Sequence, residues 1–360
     1  MHVRIHHPES VGPAELDRYL RRGWYRIGQA MVTCRFISSE VGMARGVVWT
    51  RTKLNGYVPS RSNRKLMRKN ARRYRVVEGP LTIDDEHEDL YRRYLEVAPG
   101  ERASTLAGAL LGGDEDDRFA TRELALRDED DNLVGFSAFD VGHESLQSLM
   151  GVYDPERARD SLGYWSLLLE VEHAIARGLR YHYAGYVVTT DGSMDYKLRV
   201  GHVEFLHPDR RVWRPWEQLE DVELPADRLE RALGEAHRAL VEAGVFAEIH
   251  SYRWFEAPAW HETLASMMSE PRVVTLGEGP EAATFLAIVY DLESGRYALV
   301  PCARTMVRAE QRDGTSREME MWVTQGSVDV GADPRGGAAN NTGSGVPAEP
   351  TPPAGGGARP

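Results

Sequence analysis

The amino-acid sequence predicts a mixed α/β protein, in which a sheet of parallel and antiparallel strands carries helices on its faces. Three strand-like segments joined by short polar turns, at 119–127, 133–141 and 145–153, precede a long apolar helix at 161–177 and a further strand at 180–188. Short turns produce antiparallel neighbours, whereas a helical crossover lets the next strand run parallel. Hydrophobic residues make up 42% of the 360 residues, which is typical of a globular protein and excludes wholesale disorder.

The segment before these strands is strongly basic. Residues 51–77 hold ten Lys and Arg and no acid, whereas residues 78–131 hold seventeen acids against six Arg. The formal charge of −11 is therefore a sum over blocks of opposite sign. Ser60 or Ser62 can cap a helix in the basic block, and no Gly or Pro interrupts residues 63–75.

The cations of this predicted helix share one face, because they follow i, i+3 and i+4 spacing at positions 61, 64, 65, 68, 69 and 72. Like charges on one helical face repel each other unless an anion lies opposite. We therefore expect a phosphate-binding face. The alternative is a solvated surface helix that pairs with the acidic block following it.

We divide the chain into an N-terminal region ending in the basic helix, a sheet-forming segment, an appended α+β segment and a tail, at 1–77, 78–220, 221–330 and 331–360. A helix at 84–97 begins the second segment. A helix at 226–243 and a hairpin of strands at 285–290 and 297–302 define the third, which carries no chemical motif. The tail contains eight Gly, six Pro and no aromatic residue, which predicts disorder.

Cysteine is scarce, since Cys34 and Cys302 are the only two in the sequence. This count argues against a disulfide scaffold or a cysteine-rich zinc module and fits a reducing compartment. No apolar run approaches the roughly 18 residues that cross a bilayer, and the N-terminus lacks an apolar signal core. We therefore expect a soluble, cytoplasmic protein.

The junction between the third strand and the long helix is the most informative segment for chemistry. A short Ser161-Leu162-Gly163 turn opens the helix, and Arg157 and Arg159 precede it. The first backbone N–H groups of a helix have no partner within it, and the helix dipole there favours an anion or a carbonyl oxygen. The turn indicates a site for a phosphate or a carbonyl oxygen, with an ordinary polar cap as the alternative.

The strand after this helix, and the segment behind it, combine hydroxyl donors with cations at Tyr181, Tyr183, Tyr186, Tyr196, Lys197 and Arg199. Alternating tyrosines usually line one face of a sheet, either as a core or as the wall of a pocket for an acidic ligand. Elsewhere the sequence has no zinc spacing, no Walker A or GxGxxG motif, and no Ser–His–Asp order, so a covalent nucleophile is not supported.

A series of short motifs follows this same part of the chain. They are Pro59-Ser60-Arg61-Ser62-Asn63-Arg64-Lys65, Phe139-Asp140-Val141-Gly142, Val152-Tyr153-Asp154-Pro155-Glu156, Ser161-Leu162-Gly163, Glu170 with Glu172, Gly185-Tyr186 and Met194-Asp195-Tyr196-Lys197. In this order and at these distances they resemble the arginyl/leucyl-tRNA–protein transferase family, over roughly residues 15–208. The segment after about residue 220 lies outside the resemblance.

The resemblance implies a catalytic domain similar to the GCN5-related N-acetyltransferase fold, behind a smaller N-terminal domain. It implies transfer of Arg or Leu from aminoacyl-tRNA to the N-terminal α-amine of proteins that begin with Asp or Glu, which marks them for degradation. The motifs do not distinguish Arg from Leu. No cofactor is implied. Many family members carry cysteine pairs before the Arg-Ser segment, but residues 46–52 hold none, so we expect no metal in this cysteine-poor variant.

The resemblance also implies roles for the residues that interact with tRNA. Arg61, Arg64, Lys65, Arg68 and Lys69 would bind tRNA phosphates, and the turn of Ser161, Leu162 and Gly163 would receive the aminoacylated 3′ end. We expect no binding to DNA and no membrane partner.

The remaining roles concern the protein acceptor. Tyr186, Tyr196 and Lys197 would line the catalytic pocket, and Lys197 or Arg199 would pair with the acidic side chain of the acceptor. Asp154 would orient the α-amine or help to remove its proton.

Two other functions remain open from the sequence. An acyl-CoA-dependent N-acetyltransferase could use the same fold, although such enzymes usually present a glycine-rich pyrophosphate loop and residues 157–163 contain one Gly. A non-catalytic paralogue that binds tRNA or an acidic N-terminus is the second alternative.

Overall fold

The computed structural model describes residues 2–38, 43–98, 102–114, 116–188, 192, 194–310 and 316–332. The strands of the first 220 residues are β1 Val3–His6, β2 Tyr25–Ile27, β3 Ala30–Cys34, β4 Phe36–Ser38, β5 Ala44–Lys53, β6 Arg75–Pro80, β7 Arg122–Arg127, β8 Leu133–Val141, β9 Ser145–Tyr153, β10 Tyr181–Val188, β11 Val203–Leu206 and β12 Trp213–Pro215. The helices of this part are α1 Pro13–Arg21, α2 Arg61–Asn70, α3 Asp85–Leu95, α4 Leu106–Leu111 and α5 Leu162–Ala176.

The later elements belong to the appended segment. They are α6 Pro225–Glu242, β13 Ala247–Ser251, α7 Ala257–Trp260, β14 Arg272–Leu276, β15 Thr284–Asp291, β16 Arg296–Glu310, β17 Ser316–Thr324 and β18 Val328–Ala332. Short 3-10 helices lie at Pro155–Asp160, Asp195–Val200, Trp216–Asp221, Glu262–Leu264 and Gly279–Glu281.

A nine-stranded sheet forms the centre of the molecule, in the order β12-β11-β5-β10-β9-β8-β7-β6, with β4 paired to β5. Strands β6 to β9 are antiparallel neighbours, whereas β10 runs parallel to β9 after the crossover helix α5. This confirms the predicted mixed α/β fold. Strands β8 and β9 have the predicted bounds, and α5 lies within the helix predicted at 161–177.

Two predictions about the N-terminal region need correction. The basic helix α2 ends at Asn70, and the chain from Arg75 becomes the edge strand β6, paired with β7. The boundary predicted between residues 77 and 78 therefore falls inside a strand. In addition, β5 lies between β10 and β11, so the segment before residue 78 supplies an interior strand of the central sheet. Pattern alone did not reveal this, because the partners of β5 are distant in sequence.

Strands β9 and β10 pair over a short stretch only. Their parallel register covers Tyr181 to Tyr183 opposite Ser145 to Gln147, and β10 then bulges between His182 and Gly185 as it continues along β5. Beyond that point the described pairing of β10 is with β5. The two strands therefore diverge toward the end of β9, beside the N-terminus of α5, and we call the region between them there the cleft.

The appended segment packs against the small N-terminal sheet β1-β3-β2. Val3, Val32 and Phe36 share one hydrophobic core with Leu233 of α6 and Val274 of β14. Its own sheet has the order β13-β14-β15-β16-β17, with β18 on β16, and the predicted hairpin is β15 and β16.

The predicted tail overlaps this sheet at its start, because β18 extends to Ala332. The rest of the segment predicted as a tail lies outside the described residues. Among the helices that the structure describes, none is long and apolar enough to cross a bilayer.

Candidate active site

The cleft between β9 and β10 is occupied by a tyrosine from the small N-terminal sheet. The Tyr25 hydroxyl donates to the carbonyl oxygen of Ser148 and lies 3.3 Å from that of Leu149, both on β9. Gly185, with a φ of +90°, forms the opposite wall. A Cβ at this position would lie 3.2 Å from the Tyr25 ring and 3.7 Å from Lys197 Nζ, so a side chain here would crowd both groups.

Lys197 points its ammonium group into this cleft. Its Nζ donates to the Tyr186 carbonyl oxygen at 2.8 Å, lies 4.0 Å from the Met194 sulfur and stands 5.5 Å from the Tyr186 ring centroid. Burial lowers the pKa of Lys197 to about 8. Within the part of the chain that the structure describes, no carboxylate pairs with this ammonium. The cleft therefore presents a desolvated cation that no carboxylate of the described residues neutralises.

Aromatic rings surround the lysine. The Tyr186 ring packs edge-on against Trp49 of β5 at 5.4 Å, and the Trp49 indole N–H donates to the Cys34 carbonyl oxygen at 3.0 Å. Tyr196 is 38% exposed, and its pKa is raised by burial and by its neighbour Tyr94. The structure thus brings together three of the four residues predicted to be catalytic: Tyr186, Tyr196 and Lys197.

The two other tyrosines of β10 are structural. Tyr181 and Tyr183 lie on the same face of β10 by strand alternation and pack around Arg51 of β5. The Arg51 guanidinium lies 3.8 Å from the Tyr181 ring centroid, donates to the Tyr183 hydroxyl at 3.2 Å and pairs with Glu204 at 2.7 Å. Tyr181 and Tyr183 therefore fit the core interpretation, whereas the pocket interpretation stays a prediction for Tyr186 and Tyr196.

Asp154, the fourth predicted catalytic residue, is occupied by structural contacts. Its buried carboxylate caps the 3-10 helix Pro155–Asp160 by accepting from the Glu156 backbone N–H at 3.1 Å, and it pairs with Arg93 of α3 at 3.2 Å. These contacts fix the connection between β9 and α5.

The start of α5 lies beside the end of β9. Ser161 adopts φ +52° and is exposed, Leu162 is fully buried, and Gly163 packs so closely that an added Cβ would lie 2.9 Å from Tyr153 ring atoms. Leu162 can therefore offer only its backbone to a ligand. The N–H groups of this first turn lack partners within the helix and carry its positive dipole end.

The basic helix α2 is anchored to this same turn. Asp160, just before α5, accepts from Lys69 at 2.9 Å and from the Tyr74 hydroxyl at 2.6 Å, while the Asn70 amide donates to the Asp160 carbonyl oxygen at 2.8 Å. The Ser60 hydroxyl caps α2 by accepting from the Asn63 N–H at 3.1 Å. The predicted phosphate-binding residues and the predicted acceptor-end turn are thus neighbours.

The cations of α2 are not equivalent. Lys69 is already paired with Asp160, and Arg64 donates to the Pro59 carbonyl oxygen at 2.5 Å. Arg61, Lys65 and Arg68 are exposed and make no ion pair with a described residue. None of these three cations therefore forms the ion pair with the acidic block that the alternative interpretation predicts.

Arg199 is separated from Lys197 by its contacts. Its guanidinium lies 4.7 Å from the ring centroid of Tyr164 on α5, and its carbonyl oxygen accepts from the Asn63 amide of α2 at 3.1 Å. Arg199 therefore belongs with the basic helix rather than with the lysine in the cleft.

Sequence reasoning missed Tyr25 and Trp49, which complete the walls of the cleft. Both come from the region before residue 78, and neither stands in a motif, so the placement of β2 and β5 was needed to find them. As to metals, no group of three or more His, Cys, Asp and Glu side chains among the described residues could hold an ion. Burial raises the pKa of the Cys34 thiol.

Comparison with known proteins agrees with the motifs that the cleft assembles. The family described as "Arginine-tRNA-protein transferase, C terminus" matches residues 82–207. An aspartate/glutamate leucyltransferase from Xylella fastidiosa (strain M12) is 30% identical over 174 residues, which cover 46% of this chain and 67% of that protein. The chain belongs to the arginyl/leucyl-tRNA–protein transferase family.

Other members and structures extend the comparison. An aspartate/glutamate leucyltransferase from Ruegeria pomeroyi is 31% identical over 176 residues, covering 48% of this chain and 62% of that relative, so the chain spans less than two thirds of its length. A solved structure described as L-PGS from Bacillus licheniformis is 12% identical, with a TM-score of 0.33, over 47% of this chain and 57% of that one.

Proposed function

We propose that this protein is an aminoacyltransferase that moves an amino acid, Arg or Leu, from aminoacyl-tRNA to the N-terminal α-amine of proteins beginning with Asp or Glu. Membership of the arginyl/leucyl-tRNA–protein transferase family supports this assignment, as do the relatives named aspartate/glutamate leucyltransferase. The cytoplasmic location expected from the sequence stays a prediction, as does the marking of the products for degradation.

The observation that carries the proposal is the unpaired ammonium of Lys197 in the cleft. A cation held away from water is costly unless an anion completes its coordination. The side chain of an N-terminal Asp or Glu supplies such an anion, whereas an N-terminal Ala does not. Lys197 would thus select the acceptor and place its α-amine beside the start of α5.

The reaction itself needs positioning and charge stabilisation rather than a nucleophilic side chain. The unprotonated α-amine attacks the carbonyl carbon of the aminoacyl ester, so that a C–N bond forms. The C–O ester bond then breaks, and the terminal ribose hydroxyl of the tRNA leaves with the proton that the amine gives up. The first-turn N–H groups of α5 would stabilise the oxyanion that develops on the carbonyl oxygen.

The tRNA would lie across α2. Arg61, Lys65 and Arg68 offer exposed charges, and the contacts of Asp160 join this helix to the turn that would receive the 3′ end. We reassign Arg199 from the acceptor site to this RNA-facing surface, because it lies over Tyr164 beside α2. Asp154 is proposed to position the turn before α5 rather than to accept a proton.

We further propose that the cleft between β9 and β10 corresponds to the acyl-donor cleft of the GCN5-related N-acetyltransferases. The divergence of two parallel strands beside a helix N-terminus supports this correspondence. In this view, residues 1–77 complete the catalytic unit and residues 221–330 form an appended unit.

One assay tests the function. The protein is incubated with labelled Arg-tRNA or Leu-tRNA and with peptides that begin with Asp, Glu or Ala. Label on the Asp and Glu peptides only is the expected result, and the productive tRNA identifies the amino acid. Acetylation of the peptides from acetyl-CoA would instead support the N-acetyltransferase alternative, and binding of both substrates without transfer would support the non-catalytic one.

A further inference from the structure

A groove separate from the cleft runs between α2 and α5, with a volume of about 390 Å³. Its walls are mainly apolar and include Tyr57, Pro59, Met67, Leu168 and Ile175, with the carboxylate of Glu172 among them. Ile175 remains 42% exposed, so the groove is open to solvent. A volume of this size lies within the range of sites for small ligands.

The polar groups at the groove differ in whether they already have partners. Asn63 also lines it, but its amide donates to the Arg199 carbonyl oxygen at 3.1 Å and accepts from the Tyr164 hydroxyl at 3.0 Å. Glu172 is exposed at the rim of the groove and makes no hydrogen bond or ion pair with a described residue, and partial desolvation raises the pKa of its carboxyl group. Glu172 is therefore the acceptor that a ligand would meet.

A cation stands at the edge of the groove. Arg64 does not itself line the groove, but it donates to the carbonyl oxygen of Pro59, a lining residue, at 2.5 Å, so its guanidinium is held one hydrogen bond from the wall. Tyr57 is also fixed, since its hydroxyl donates to the Val200 carbonyl oxygen at 3.0 Å. The groove thus combines an immobilised aromatic ring, apolar walls, one unpaired carboxylate and a positive charge at its edge.

These are the groups that recognise an unpaired nucleotide. Splayed-out bases stack on aromatic and apolar side chains, a carboxylate accepts from the exocyclic amino group of a base, and an arginine binds the phosphate. An acidic peptide would be repelled by Glu172, and an aliphatic ligand would make no contact with its exposed carboxylate. The exposed cations of α2 lie on the same helix as Arg64, which makes RNA the complementary partner.

We propose that the groove between α2 and α5 binds one unpaired nucleotide from the acceptor end of the tRNA. The base of this nucleotide carries an amino group that donates to Glu172, and its phosphate binds Arg64. This inference rests on the proposed function, because it requires that the protein binds tRNA. The groove would add a base-specific contact to a surface that otherwise binds only the phosphate backbone.

The test measures binding of the full-length protein to a tRNA acceptor minihelix by fluorescence anisotropy. We compare a minihelix with its natural unpaired 3′ strand against versions in which each unpaired nucleotide in turn is abasic. One abasic position should weaken binding roughly tenfold, the order of a single base contact. The Glu172→Ala variant should bind the natural minihelix more weakly than the wild-type protein does, by the same factor. The abasic position should not weaken the binding of this variant any further.

The direction of the Glu172→Ala effect is diagnostic. Removal of a negative charge beside a basic helix should strengthen nonspecific RNA binding, whereas loss of a base contact weakens it. The matched control is Glu242→Ala, which removes an exposed carboxylate from α6 and should leave the affinity within roughly twofold.

Several results would overturn the inference. They are unchanged or tighter binding of Glu172→Ala, equal affinity for all abasic minihelices, and a change only in the KM of the acidic peptide. Absence of RNA binding by the wild-type protein would also overturn it. Failure of the proposed function is recognised separately, because the wild-type protein would then give no transfer to Asp or Glu peptides.

Discussion

Two cations of this protein, the buried Arg26 and the partly buried Lys197, have opposite surroundings. Arg26 of β2 lies beneath the small N-terminal sheet, 2% exposed, and each of its nitrogens has an acceptor. These acceptors are the Gly28 and Leu110 carbonyl oxygens, the Thr121 hydroxyl and the carboxylates of Asp117 and Asp140. Lys197 has one carbonyl oxygen, a thioether and a ring, and no carboxylate from the described residues.

The difference separates a cation that holds the fold together from one that we propose binds the acidic substrate. At Arg26 the hydrogen bonds and counter-charges offset the loss of hydration, although burial still raises the pKa of Asp140 to about 6. At Lys197 the same loss of hydration is left uncompensated. A site in a folded protein can retain such a cost when the missing anion is a substrate.

The largest effect is expected from removal of the compensated cation. Arg26→Ala leaves Asp140 and Asp117 without their counter-charge, and breaking a buried pair in this way costs about 3–5 kcal/mol. The free energy of unfolding, measured with denaturant, should fall by that amount. As control, Arg18→Ala removes an arginine whose side chain is 66% exposed and should change it by less than about 0.5 kcal/mol. Equal effects of the two variants would contradict the comparison.

The uncompensated cation should behave in the opposite way. The pKa of Lys197 is about 8 in the folded protein and 10.5 for an unperturbed lysine, so the folded state binds its proton less tightly. The buried charge therefore lowers stability below pH 8, and stability is regained between pH 8 and 10.5. Lys197→Met should raise the free energy of unfolding at pH 7 by about 1–2 kcal/mol.

The same variant should lose transfer. Without the ammonium, kcat/KM for an Asp peptide should fall roughly a hundredfold, mainly through KM, because truncation of a buried charge partner costs about 2–5 kcal/mol. A Lys197→Met protein that is more stable but still transfers at the wild-type rate would refute the assignment. In wild type kcat/KM should decline above pH 8 as Lys197 deprotonates. Lys197→Arg keeps its charge and should abolish that decline.

A smaller effect concerns the surface cations of α2, which are hydrated rather than buried. The double variant Arg64→Glu, Arg68→Glu should weaken tRNA binding and reduce the slope of log affinity against log salt by roughly one for each phosphate that the helix no longer binds. Filter binding over a series of salt concentrations measures both. Arg92→Glu on α3, 70% exposed in its side chain, is the control. Unchanged binding by the double variant would contradict the proposal that α2 binds tRNA.

Local features of this comparison could be predicted from the sequence, whereas non-local ones could not. The apolar pattern of α5 and the alternation of β8 and β9 depend on near neighbours along the chain, so their bounds were predicted correctly. The Ser60 cap follows in the same way from local chemistry. Lys197 and Tyr186 were predicted together because they lie in adjacent motifs.

The remaining features depend on pairing across the fold. Tyr25 reaches the cleft only because β2 packs over β9, and Trp49 faces Tyr186 only because β5 lies next to β10. Arg75 belonged to the predicted helix by composition, but its backbone pairs with β7 instead. Asp154 has the residue type of a proton acceptor, yet its contacts with Arg93 and the Glu156 N–H could be seen only in three dimensions.

The interior position of β5 has a consequence for synthesis of the chain. Lys53 pairs with Tyr181, so β5 leaves the ribosome long before its partners β10 and β11 exist. Domains whose contacts are distant in sequence fold late, and their strands stay unpaired and exposed until the partner strands have been synthesised. The wall formed by Trp49 and Tyr186 can therefore close only after β10 has been made. A nascent chain that stops earlier can carry the basic helix, but it lacks the wall that Tyr186 gives to the cleft.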